Sequence, residues 1–160
     1  VIMGFWDFFK GGSGKGNFLS PLSATEKVEV SGLTPLLYMA VIQEKRGEAA
    51  PAIIAGPGTI DIEILKKLSI EDLETLKEAI DVVQEADSRS QSGDDAGAAA
   101  KYKEAIDINP YDDIATMSYG VCLAHQGRLR EGVKWVEKAA RLNPGSDRIR
   151  GNLAAMKANL

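Results

Sequence analysis

The strongest constraint on this chain is a period. Ile108-Asn109-Pro110 returns as Leu142-Asn143-Pro144, a shift of 34 residues, and the residues leading up to each copy match in kind. Gly93 is answered by Gly127 and Ala105 by Ala139, with the milder pairs Ala98 and Gly132, Tyr102 and Val136. A repeat of this length points to stacked helical hairpins rather than a catalytic fold. Two helices approach closely only where one presents small residues, so Ala98, Ala105, Gly132 and Ala139 are expected at the crossings. Tyr102 and Val136 lie on the same helical face between them and are expected to fill the core. Gly93 and Gly127 fall where a helix must stop and the chain turn back, which favours a residue free to take positive φ. Asn-Pro then ends each second helix.

These residues together resemble the tetratricopeptide repeat family. The resemblance implies a mainly α fold: a right-handed superhelical array of αα-hairpins over residues 69–160, with units near 79–112 and 113–146 and a capping helix at 147–160. The bulky aromatic of the family's first helix is Val82 in one copy and Thr116 in the other, and only Gly120 occupies its glycine position outright. In this family the first helix of each unit lines a concave groove. By that resemblance the groove carries Val83, Asp87, Ser90 and Gln91, then Ile114, Met117, Val121, Ala124 and His125, then Arg148, Gly151 and Ala155. An apolar ridge of Ile114, Met117 and Val121 beside a polar rim suits a hydrophobic peptide or helix of an unknown partner. Relatives that clamp acidic C-terminal peptides use Lys and Asn at positions held here by Val83 and Asp87, so that activity is not implied.

Upstream of the repeats, residues 18–68 read as a less regular extension. KVEV at 27–30 and TIDIEI at 59–64 alternate apolar with charged residues, the signal of a short β-hairpin. IEILKKL suits a helix equally well, so the second strand stays open. Thr34-Pro35 marks a helix start and Gly47 a stop, while Ser69 with Glu71 and Asp72 behind it is an N-cap.

Residues 1–17 pair an aromatic segment with a Gly-rich tether. Phe5, Trp6, Phe8 and Phe9 cluster there, and as a helix Ile2, Phe5, Trp6 and Phe9 would share a face. Three destinations stay open: a cap on its own domain, the groove of a neighbouring copy, giving a homo-oligomer, or a membrane surface. Lys10 to Gly16 (KGGSGKG) resembles a phosphate loop, yet Gly16 stands where magnesium needs a hydroxyl and no buried strand precedes it. A Gly-Ser tether with two solubilising lysines is the reading adopted.

Composition narrows the function. A net charge of −4 without a compact basic stripe argues against a nucleic-acid surface. With one cysteine, Cys122, neither an intramolecular disulfide nor a cysteine-rich zinc site can form, and the cytoplasm is the natural setting. No run of 18 apolar residues is present, so no membrane span is expected. Cys122 is read as a packed side chain and the lone His125 as a rim residue. No acid and base pair stands out, so neither an enzyme nor a cofactor is expected. The expected work is protein–protein interaction, as a docking module or scaffold, with self-assembly through the aromatic segment as the alternative.

Overall fold

The computed structural model describes residues 18–49 and 62–160. Among them the protein is mainly helical, with eight helices and no strand: α1 Ala24–Glu29, α2 Pro35–Lys45, α3 Ile62–Lys66, α4 Ile70–Gln91, α5 Asp95–Ile108, α6 Asp113–His125, α7 Leu129–Leu142 and α8 Asp147–Lys157.

The first arm of the expected β-hairpin is corrected, while of the second arm residues 59–61 lie outside the described residues. Lys27 to Val30 belong to α1 and its C-cap, because Ser23 and Glu26 form a reciprocal capping box: Ser23 N–H donates to Glu26 Oε2 at 2.8 Å, and Glu26 N–H to Ser23 Oγ at 3.3 Å. Two otherwise orphaned donors are satisfied before the alternating pattern begins, which nucleates a helix there. The described part of 59–64 lies in α3, where Leu65 and, just beyond it, Leu68 are buried and Ile62 is half-buried, a three-residue spacing suited to a helix. Lys66 Nζ sits 3.0 Å from Glu63 within α3 and 3.1 Å from Glu44 on α2.

Thr34 precedes Pro35 at the first position of α2, and Gly47, at φ +73°, follows its end. α2 buries one face, where Tyr38, Val41 and Ile42 share a core with Leu19, Leu22, Val30, Leu65, Leu68, Leu73 and Leu76, and leaves Leu36 and Met39 exposed. The first half of α4 thus serves as the floor for residues 18–49 and 62–68. Tyr38 Oη donates to Val30 O at 2.5 Å and accepts from Leu33 N at 3.2 Å, tying α2 to the end of α1.

From α4 onward each helix folds back on the one before. Gly93 at φ +82° and Gly127 at φ +81° sit at equivalent turns. At both turns the residue after the glycine donates back to the carbonyl five residues earlier, Asp94 N to Arg89 O at 3.0 Å and Arg128 N to Leu123 O at 2.9 Å. These are Schellman closures, which need the left-handed conformation that glycine adopts without a Cβ penalty. The four expected crossing residues are all buried, as are Tyr102 and Val136. The tightest crossing joins α6 to α7, where a Cβ added to Gly120 would lie 2.6 Å from Gly132 O and one added to Gly132 would strike Gly120 O. Beside it Tyr119 and Trp135 meet edge to face, centroids 4.8 Å apart.

The repeat is imperfect at one polar joint. Asn143, the C-cap of α7, donates from Nδ2 to Asp113 Oδ2 at 2.8 Å. Its counterpart Asn109 caps α5, and its Oδ1 accepts from Tyr111 N at 3.1 Å, but its buried Nδ2 has no partner. The residue standing 34 before Asp113 is Ala79, which carries no acceptor.

Two stability contrasts follow from these contacts. Gly132→Ala should cost about 2–3 kcal/mol in urea unfolding because backbone must yield. Gly151→Ala, whose Cβ meets nothing within 4 Å, should be neutral or stabilising by about 0.5–1 kcal/mol. Asn143→Ala, which strands the buried Asp113 carboxylate, should cost about 2 kcal/mol. Asn109→Ala, which removes a donor that is already unpaired, should cost about half of that. Equal losses at the two asparagines would contradict this account of the joint.

Candidate functional site

The first helices α4, α6 and α8 stand side by side. Val83 of α4 shares a core with Ala115 and Cys122 of α6. Met117 of α6 packs with Ile149 of α8, and Asn152 Nδ2 lies 3.5 Å from Met117 Sδ. The exposed residues of these three helices make up the candidate strip.

The expected groove set divides on burial. Val83 at 7% exposure and Met117 at 3% are core residues, a correction to their reading as groove lining. Val83 is held by Ala98, Ala99 and Tyr102 of α5, and Met117 by Val136 and Ala139 of α7 together with Ile149. Their periodicity is that of a face toward a neighbour, and that neighbour is another helix of the same chain. Ile114, Val121 and Ala124 are half-buried, and Val121 packs against the cluster of Met117, Val136, Ala139 and Ile149. Asp87, Gln91, His125 and Arg148 are exposed, with Gly151 and Ala155 beyond them. The open part of the strip is thus polar. Phe5, Trp6, Phe8, Phe9 and the KGGSGKG run lie outside the described residues.

Individual side chains on the strip are anchored rather than poised for chemistry. Tyr102 Oη donates to Asp87 Oδ1, and burial together with Asp87 pushes the phenol up from its ordinary value. His125 Nδ1 lies 3.2 Å from Asp95 Oδ1, and Gln126 Nε2 donates to Asp95 O at 3.3 Å, so the end of α6 is pinned to the start of α5. Burial raises the Cys122 thiol, which keeps it protonated and unreactive. Among the described residues no group of three or more His, Cys, Asp or Glu could hold a metal ion. Nor is any described helix long and apolar enough to cross a membrane.

A buried acid behind the strip went unnoticed in the sequence. Asp112, 4% exposed, N-caps α6 by accepting from Ala115 N at 2.8 Å, while its carbonyl accepts from Thr116 Oγ1 at 2.6 Å. Burial, and then the nearby Asp113 and Asp87, raise its carboxyl to about 6. The available signal was local: an Asp just after Asn-Pro and directly before an apolar run is an N-cap. Comparison with known proteins gives no match, whether to family models, to curated proteins or to solved structures.

Because the Asp112 proton is held more tightly in the folded chain than in the unfolded one, this group favours folding most at low pH. The contribution disappears as pH rises from about 4 to about 6. Asp112→Asn keeps a capping oxygen without the charge. Its stability relative to the parent should therefore rise between pH 4 and pH 7, by on the order of 2 kcal/mol. Urea titrations at the two pH values read this difference, and one that does not change with pH would rule the effect out.

Proposed function

We propose that this chain is a short array of tetratricopeptide-type hairpins that docks a segment of another protein across its first helices. The observation behind the reading is that α4 and α6 share one core and α6 and α8 another, an arrangement in which Asp87 and Gln91, then Ala124 and His125, then Arg148 would line one surface. The 34-residue period supports it independently, since such a stack repeats one outward-facing set of positions at each step. With Val83 and Met117 withdrawn into the core, the strip offers backbone-spaced polar contacts flanked by the half-buried Val121. A partner segment rich in polar and charged residues fits it better than an apolar helix.

Selection from a displayed peptide library tests the reading. The parent should enrich a sequence class that a Gln91→Arg, His125→Glu, Arg148→Glu variant does not. All three positions are exposed, so together they should shift stability by less than about 1.5 kcal/mol. Absence of any enriched class with the parent, or equal enrichment by the variant, would sink this assignment.

A further inference from the structure

We infer that the docked segment carries one basic and one acidic residue, the basic one seated over Asp87 of α4 and the acidic one over Arg148 of α8, so that it lies in one direction only. The inference rests on the docking reading and adds the chemistry of the segment. Of the residues that would line the strip, Asp87 and Arg148 are exposed and charged, and among the described residues neither is placed in an ion pair. Their charged neighbours are matched within the chain instead. Arg89 lies 2.9 Å from Glu85 and 3.3 Å from Asp94, and Arg150 pairs with Asp147. His125, on the helix between, sits 3.2 Å from Asp95. Ser90, Gln91, Ser118, Val121 and Ala124 carry no charge. The strip is thus negative at one end, neutral across its middle and positive at the other.

Asp87 is also held in place. Tyr102, 3% exposed, donates its hydroxyl to Asp87 Oδ1. The core therefore fixes one carboxylate oxygen and leaves Oδ2 open to a donor from outside, and a side chain ordered in advance loses less freedom when a partner arrives. The wider field agrees with the two charges, since α4 carries seven carboxylates against two cations and α8 three cations against one carboxylate. A segment with its basic end toward α4 approaches with both ends attracted, and the reversed segment with both repelled. Packed helices stand about 8–10 Å apart, so two steps from α4 to α8 cover about 16–20 Å. At about 3.3 Å per residue, the two charges fall about five or six residues apart in an extended segment.

Peptide-library selection with the full chain, an Asp87→Asn variant and an Arg148→Glu variant, run side by side, tests the inference. Asn keeps an oxygen for the Tyr102 hydroxyl and both positions are exposed, so circular dichroism should find both variants as helical as the parent. The class enriched by the parent should carry Lys or Arg about five or six residues from Asp or Glu. Asp87→Asn should lose the preference for the basic residue alone, and Arg148→Glu should exchange the acidic residue for a basic one. A peptide selected by the parent should bind about fivefold more weakly when either of its two charges is replaced by alanine. An enriched class without this pair of charges, or the same class from all three proteins, would overturn the inference and leave the docking reading standing. No enriched class at all would remove both.

Discussion

The backbone-to-backbone approach of α6 and α7 at Gly120 and Gly132 sets the geometry of the C-terminal half. With no side chain between them, α7 comes close enough for Val136 and Ala139 to cover Met117, and that apolar bed receives Ile149 of α8. A close-packed contact of this kind admits little adjustment, because interiors at this density cannot absorb even one extra carbon without displacement. The same closeness removes Met117 from any binding surface. What stays exposed is the polar edge of the first helices, so the character of the proposed docking strip is a consequence of how the hairpin closes.

Polar groups serve as the hinges of the stack. Asp112 and Thr116 close the start of α6, Asn143 reaches across to Asp113, and Asp95 gathers His125 and Gln126 at the far end. Buried or half-buried polar atoms, as at Asp112, Thr116, Asp113 and Asn143, are tolerable only when partnered, which fixes their helix ends more strictly than apolar contact does. The unpaired Nδ2 of Asn109 shows the converse: the first joint retains the residue but lacks the acceptor that Asp113 supplies to the second.

Charge is segregated along the array in a way the overall balance of −4 conceals. α4 carries seven carboxylates against two cations, and residues 128–160 carry eight cations against three carboxylates. Segregation of this sort sets orientation between partners more than it sets strength. It gives the two ends of the stack different identities, although both are ends of the same repeating structure.

From the sequence alone, the 34-residue period, the helix caps at Ser69 and Thr34-Pro35, the turns at Gly47, Gly93 and Gly127, and the core placement of Ala98, Tyr102, Ala105, Val136 and Ala139 were all legible. Each is specified by a local requirement: a capping oxygen, a positive φ, a small residue at fixed helical spacing. The alternation at 27–30 misled because apolar-polar alternation over four residues is short enough for a helix to accommodate, and the capping box at Ser23 decided between the two. Which apolar residues would face a partner and which would face another helix was not legible, because periodicity marks a face without naming what covers it. Only the tertiary structure decided that Val83 and Met117 are core, that Asp112 is buried, and that the open strip is polar. Those outcomes depend on how near α5, α7 and α8 come to the first helices, a distance set by contacts between residues far apart in the chain.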